Sequence, residues 1–142
     1  MTRRPAELMR ILLVEDSLAD IELTLDALSG AKVANEVAVV RDGASALAYL
    51  RDPANPRPDM VILDLNLPRM SGHQVLAAVR ADPDLRRLPV AVLTTSAAEA
   101  DVISTYDLGA NCYLTKPVDV EQFIAVVQSI DDFWLGLVRL PP

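Results

Sequence analysis

Five short, uninterrupted apolar runs constrain the fold of this chain more than any other feature. Runs of this length predict strands that are buried on both faces, as strands of a parallel sheet are. The segments between them carry apolar residues at helical spacing, for example Leu18, Ile21, Leu25 and Leu28. The apolar runs occupy residues 11–14, 37–40, 60–63, 90–93 and 112–114.

Helix boundaries are marked by short polar residues between these runs. A serine followed three positions later by an acidic or amide residue predicts a helix start. Gly30, Gly109 and the pair Asp82-Pro83 stand where helices would end. Five strands alternating with five helices predict a doubly wound α/β domain. The predicted helix starts are Ser17 with Asp20, Ser71 with Gln74, and Ser96 with Glu99.

Length and composition narrow the function. The 142 residues predict one domain, and 20 acidic against 13 basic residues give a net charge of −7. That balance argues against a nucleic-acid-binding surface. One cysteine, Cys112, excludes an intrachain disulfide and a multi-cysteine zinc site. The chain also has a single histidine, so it offers almost no residues from which a Ser-His-Asp triad could be built.

No targeting or membrane segment is visible in the sequence. The apolar run that follows the basic N-terminal residues is too short for the core of a signal peptide. No stretch approaches the roughly 20 apolar residues that span a bilayer. We therefore expect a cytoplasmic protein without a membrane partner.

Chemically active side chains follow four of the predicted strands. Glu15 and Asp16 follow the first, Asp64 the third, Thr94 the fourth and Lys116 the fifth. Ligands of such folds bind outside the carboxyl ends of the strands, where these residues would converge. Crowded carboxylates repel one another, and a hard cation such as Mg²⁺ relieves that repulsion. Each residue alone is often a cap or a turn residue, but the combination favours a Mg²⁺-dependent phosphoryl site.

These residues and their neighbours resemble the receiver domain of two-component response regulators, over about residues 10–130. The resemblance implies a flavodoxin-like α/β fold, with a five-stranded parallel sheet in the order 2-1-3-4-5 and five helices. The motifs that carry it are Val14-Glu15-Asp16, Leu63-Asp64-Leu65-Asn66-Leu67-Pro68, Ser71-Gly72, Leu93-Thr94 and Lys116-Pro117.

The resemblance also implies the roles of the acidic residues. Asp64 would be the phosphoacceptor, which takes a phosphoryl group from the phosphohistidine of a sensor kinase. Asp16, Asp64 and the backbone carbonyl of Asn66 would bind Mg²⁺, and Glu15 would act through a water. The chain would then be a signalling protein and not an enzyme, since it would catalyse only its own phosphorylation and dephosphorylation.

Three further residues complete the implied switch. Lys116 would pair with Asp64 and then with a phosphoryl oxygen, and Thr94 would hydrogen-bond another. Tyr113 stands at the position of the aromatic residue that turns inward when Thr94 moves. Phosphorylation would thereby change a face that binds a partner or a second copy of the chain.

The C-terminal end is apolar and carries a separate hypothesis. We divide the chain into a receiver domain at 1–131 and an extension at 132–142, without an output domain. The extension either packs on its own domain or joins two copies in a homodimer. The extension and the segment 106–113 both resemble the corresponding parts of regulators associated with phytochrome kinases. We therefore expect a phytochrome-like kinase as the partner. The candidate dimer residues are Phe133, Trp134, Leu135 and Leu137.

Three other readings compete with the phosphoacceptor. A phosphatase resembling the haloacid dehalogenase family would place an Asp-x-Asp motif after the first strand, where this chain has Glu15-Asp16-Ser17. A nucleotide-binding module would need a glycine-rich loop there, which is missing. A receiver kept only as a protein-interaction scaffold would not need the intact acidic set.

Overall fold

The computed structural model describes residues 9–30, 34–94, 107, 109–116 and 118–125. The elements are β1 (Met9–Val14), α1 (Leu18–Ser29), β2 (Asn35–Val40), α2 (Gly43–Arg51), β3 (Met60–Asp64), α3 (Gly72–Ala81), β4 (Val90–Thr94) and β5 (Cys112–Thr115). From β1 to β4, strands and helices alternate as the apolar runs predict. After β5, residues 120–125 are helical as well.

The five strands form one parallel sheet in the order β2-β1-β3-β4-β5, which confirms the predicted order and fold class. The register aligns the carboxyl ends of neighbouring strands, since Val14 lies opposite both Val40 and Leu63. The predicted helix between β4 and β5, with Ser96 and Glu99 at its start, falls outside the described residues. In the described part of the chain, no helix is long and apolar enough to cross a membrane.

Side-chain caps begin the helices. Ser17 caps α1 by accepting a hydrogen bond from the main-chain N–H of Asp20, and Ser71 forms a reciprocal capping box with Gln74 at α3. Asp42 caps α2, a helix start that is not among those predicted from the sequence. Local hydrogen-bonding chemistry therefore sets where each of these helices begins.

One predicted cap is only half present. Asp20 was expected to act as the reciprocal acidic partner of Ser17, and this expectation is wrong. The Ser17 N–H donates instead to Oε2 of Glu15, at 3.1 Å. The Asp20 carboxylate is therefore not part of the cap and contacts the carboxyl edge of the sheet instead.

Two of the predicted helix ends, those of α1 and α3, are confirmed, and the helix that Gly109 would end lies outside the described residues. Gly30 ends α1 and Asp82 ends α3. Gly109 has a φ of 96°, in the left-handed region that favours glycine. Its carbonyl accepts hydrogen bonds from Nε and Nη2 of Arg80, so the end of α3 is joined to the segment that leads into β5.

Apolar side chains fill both faces of the sheet, as a doubly wound fold requires. One face packs against α2 and α3, and the other against α1 and the helical residues 120–125. The first core includes Leu12, Val14, Leu63, Val75, Leu76 and Val92. The second includes Ile11, Leu13, Ile62, Leu93, Leu114 and Phe123.

Burial on both faces holds only for the three central strands. β1, β3 and β4 are almost entirely buried, apart from Arg10 near the start of β1. β2 and β5 were expected to be equally buried, but most of their side chains are only partly buried or exposed. Both strands lie at the edges of the sheet that the described residues form, and each pairs with a strand on one side there.

Gly72 fixes how closely α3 approaches the end of β3. A Cβ atom on this residue would lie 2.7 Å from Cα of Leu65 and would also clash with the carbonyl oxygen of Asp64. The Gly72 N–H donates to the carbonyl of Leu65 at 3.1 Å. The absence of a side chain therefore lets the helix start press against the backbone that carries Asp64.

We expect Gly72→Ala to lower the free energy of unfolding by about 1–3 kcal/mol, because the added methyl group meets backbone that cannot move aside cheaply. Urea denaturation followed by circular dichroism measures the change. Gly30→Ala is the control, since a Cβ there lies 3.7 Å or more from its neighbours. Equal stability of the two variants would contradict the tight contact.

Candidate functional site

The site is assembled from residues that end or directly follow parallel strands. Glu15 follows β1, Asp64 is the last residue of β3, and Lys116 follows β5. Because the strands run parallel, their carboxyl ends share one edge of the sheet. The main-chain N–H of Glu15 donates to Val40 O, and that of Leu65 donates to Leu93 O, so the hydrogen-bond ladder continues past the strand ends. The backbone beneath the site is therefore firmly held.

Lys116 connects the acidic residues. Its Nζ lies 2.7 Å from Oε1 of Glu15, 2.9 Å from Oδ2 of Asp20 and 3.3 Å from Oδ2 of Asp64. These three carboxylates come from the end of β1, the first turn of α1 and the end of β3. One ammonium group thus bridges three separate parts of the chain.

The centre of the site is withdrawn from water. The side chains of Glu15, Asp64 and Lys116 are 1%, 2% and 8% exposed. Burial raises the pKa of Glu15, and the hydrogen bond from Lys116 only partly opposes that effect. Burial alone would lower the pKa of Lys116, but the bonds to Glu15 and Asp20 and the charge of Asp64 outweigh it and raise the pKa. The lysine is therefore firmly charged at neutral pH.

Asp64 is held at both carboxylate oxygens. Its Oδ1 accepts a hydrogen bond from the main-chain N–H of Asn66 at 3.2 Å, while Oδ2 faces Lys116. The first bond is local, because the chain turns directly after β3. The second crosses the sheet edge from β5. Asp64 is therefore a buried, oriented carboxylate beside a cation.

Asp16 and Asn66 lie at the exposed rim of the same edge. The backbone of Asp16 is fixed by Nη2 of Arg41, which donates to its carbonyl oxygen at 2.7 Å. With Asp64 at the buried end, this set supplies carboxylate and carbonyl oxygens, the donors that Mg²⁺ prefers, next to solvent. The donor chemistry therefore fits a hard divalent ion.

Convergence of three carboxylates on a metal was the expectation from the sequence. Among the residues that the structure describes, no group of three or more His, Cys, Asp or Glu side chains is arranged to hold a metal ion. The carboxylates of Glu15 and Asp64 instead converge on Lys116. A divalent ion would rely on the two aspartates and a main-chain carbonyl.

Asp20 belongs to this site and was missed as a site residue. From the sequence alone, Asp20 is predicted only as a capping partner of Ser17. Its place four residues after Asp16, in the first turn of the helix that follows β1, was the available signal. Helix starts that follow strands of a parallel sheet lie at the same edge as the strand ends.

The structure describes the other predicted site residues, those of the switch and of the dimer, only in part or not at all. The backbone of Thr94 ends β4 opposite Thr115 of β5. Tyr113 is partly buried and packs against the core that α2 and α3 cover. The four candidate dimer residues, from Phe133 to Leu137, and the domain boundary at 131 lie outside the described residues.

The model of the response regulator receiver domain family matches residues 11–128 of this chain. The match covers well over half of the sequence and includes every residue of the site described above. The chain therefore belongs to the response regulator receiver family.

Named relatives agree with this assignment. Response regulator Rcp1 of Synechocystis sp. is 47% identical over 135 residues, which are 92% of each chain. The Mn²⁺-bound form of Rcp1 matches 94% of this chain and 99% of its own, with a TM-score of 0.71 and 46% identity. The phosphorylated cyanobacterial phytochrome response regulator RcpA matches 96% of this chain and 100% of its own, with a TM-score of 0.74 and 46% identity. The chain is thus related to phytochrome response regulators.

We expect Lys116→Met to lower the free energy of unfolding at pH 8 by about 3 kcal/mol, because it leaves buried carboxylates without their cation. Without the ammonium, the pKa of Glu15 rises further. The folded variant then binds protons more tightly than its unfolded chain does, so lowering the pH from 8 to 5 restores part of the lost stability. Urea denaturation at both pH values measures this.

Arg51→Met is the control for that measurement. Arg51 pairs with Asp82 at 3.4 Å, but its side chain is 52% exposed. Loss of an exposed pair costs about 0–1 kcal/mol. A Lys116→Met variant as stable as Arg51→Met at pH 8 would contradict the central role of the buried lysine.

Proposed function

We propose that this chain is a phosphoacceptor switch in which Asp64 accepts a phosphoryl group from a sensor histidine kinase. The observation that carries the proposal is the environment of Asp64. Its carboxylate is buried at the carboxyl edge of the sheet, oriented by the main-chain N–H of Asn66 and placed 3.3 Å from the Lys116 ammonium. Phosphoryl transfer requires a placed nucleophile and nearby positive charge, and little other chemistry from the protein.

In the transfer step, an Asp64 carboxylate oxygen attacks the phosphorus of a phosphohistidine. The new O–P bond forms as the N–P bond breaks, and the electron pair of the broken bond stays on the imidazole nitrogen. Lys116 stabilises the charge on a phosphoryl oxygen, and Thr94 donates a hydrogen bond to another. The first product is an acyl phosphate on Asp64, which water then hydrolyses.

Asp16, Asp64 and the backbone carbonyl of Asn66 would hold Mg²⁺ for this reaction, with Glu15 acting through a water. When bound, the ion neutralises charge that develops on the phosphoryl oxygens. The exposed position of Asp16 and Asn66 supports access of the ion from solvent. The Mn²⁺-bound form of Rcp1 supports a divalent ion in this family.

The switch itself would run through Thr94 and Tyr113. Thr94 moves towards the phosphoryl group, and Tyr113 turns inward to fill the space that is left. Tyr113 lies on β5, an edge strand, so a change in its position reaches the molecular surface directly. Phosphorylation would bias a two-state arrangement of this face by a few kcal/mol.

A phytochrome-like histidine kinase is the proposed donor. The phosphorylated phytochrome response regulator RcpA supports this partner, since it shares 46% of its sequence with this chain. Phosphorylation by a kinase is also general for the receiver family. The competing function is an interaction scaffold that phosphorylation does not regulate, and the same experiment decides between the two.

We expect acetyl phosphate or phosphoramidate to add one phosphate to the wild-type chain in the presence of Mg²⁺, and none in EDTA. Asp64→Asn removes the nucleophile, so it should abolish the added mass. Intact mass spectrometry measures both. Asp84→Asn, which neutralises an exposed carboxylate before β4, should incorporate phosphate normally. Phosphate on Asp64→Asn, or none on the wild type, would contradict the proposal and favour the scaffold.

A second expected outcome concerns a homodimer. The apolar residues Phe133, Trp134, Leu135 and Leu137 would join two copies of the chain. Removal of residues 133–142 should then shift sedimentation from dimer to monomer. The phosphorylation assay serves as the control, because the shortened chain keeps Asp64 and should still accept phosphate. An unchanged sedimentation profile would contradict the dimer role of these residues.

A further inference from the structure

Asp20 makes a contact across the site that its position in α1 does not require. Its main-chain N–H is already used in the cap with Ser17. Its carboxylate bonds to the ammonium of Lys116, 96 residues further along the chain, at 2.9 Å. A capping role is therefore insufficient to explain this side chain.

Three carboxylates surround the Lys116 ammonium, at 2.7, 2.9 and 3.3 Å. The contact with Asp20 has hydrogen-bond geometry. A phosphoryl group on Asp64 would add negative charge beside the same ammonium, so it would compete with these carboxylates for the cation.

Burial differs sharply between the candidates. Glu15 is 1% exposed, so loss of its cation would leave a charge or a proton buried away from water. Asp20 is 31% exposed, so water can replace the lysine at small cost. Asp64 itself would carry the phosphoryl group. The carboxylate that is released most cheaply is therefore that of Asp20.

We propose that Asp20 is a positioning residue that holds Lys116 in the unphosphorylated protein and releases it when Asp64 carries a phosphoryl group. This inference rests on the proposed function of Asp64. Asp20 competes with the phosphoryl group for one cation, so it biases the chain towards the unphosphorylated state. Removing its charge should shift that balance in the other direction.

The two lysines of the sequence, Lys32 and Lys116, make the ion pair directly observable. Protein labelled with ¹⁵N at the lysine side chains gives at most two ammonium signals by NMR, and Lys32→Arg assigns them. In the unphosphorylated wild type, we expect a Lys116 signal with slow exchange of its protons with water. Asp20→Asn should shift that signal and speed its exchange, and Asp20→Glu should restore it.

Glu22→Gln is the matched control, because it removes one exposed carboxylate from the same helix. It should leave the Lys116 signal unchanged. An unchanged signal in Asp20→Asn, or an equal change in Glu22→Gln, would overturn the inference. This arm uses no phosphodonor, so its result does not depend on the proposed function.

Beryllofluoride with Mg²⁺ supplies the second arm, as a mimic of the phosphoryl group. Its binding to the wild type should shift the Lys116 signal in the same direction as Asp20→Asn does. Asp20→Asn should also tighten beryllofluoride binding by about two- to five-fold, the value of a partly exposed ion pair. Unchanged or weaker binding in Asp20→Asn would overturn the release step.

A double variant separates release of the lysine from a general effect of charge. With Lys116→Met present, Asp20→Asn should no longer tighten beryllofluoride binding, because there is no ammonium to release. The same tightening in that background would overturn a role through Lys116. Failure of beryllofluoride to bind the wild type would count against the proposed function, and the first arm would still decide whether Asp20 holds Lys116.

Discussion

The structure of this edge depends on one cation shared among three carboxylates. Glu15 and Asp64 are buried side by side at the ends of adjacent strands, an arrangement that electrostatics alone opposes. The Lys116 ammonium, at 2.7 Å and 3.3 Å from them, makes it tolerable. The positive charge that Lys116 brings from the end of β5 therefore stabilises the acidic ends of β1 and β3.

The contacts of that cation suit a lysine. β5 is separated from β3 by β4 and from β1 by two strands, so Lys116 meets carboxylates that come from separate parts of the edge. Lysine carries a compact charge on a flexible four-carbon stem, which several oxygens can share from different directions. The planar fork of arginine favours one carboxylate in a bidentate pair. A point charge on a long stem therefore suits this shared contact better.

The sequence predicted the parts of this molecule that follow from local pattern. Apolar runs marked the strands, and Ser17 and Ser71 marked helix starts, because these signals act over a few residues. The convergence of Glu15, Asp64 and Lys116 was predictable because parallel strands end at one edge. The Lys116 contact of Asp20 was not, since it joins residues 96 apart through side-chain directions that no local pattern encodes. The exposure of β2 and β5 likewise follows from their place at the sheet edges, which the apolar runs alone do not reveal.

The same shared cation gives the proposed switch its physical form. A phosphoryl group on Asp64 would add negative charge at a site whose carboxylates already outnumber their lysine. The site would then respond by exchanging one negatively charged partner of Lys116 for another, with no additional positive charge. The exchange costs little when the partner given up, Asp20, is reached by water, and much when it is Glu15. Unequal burial of two carboxylates that face one ammonium thus determines which contact yields, and it keeps the energy of the exchange within the range that one phosphoryl group can control.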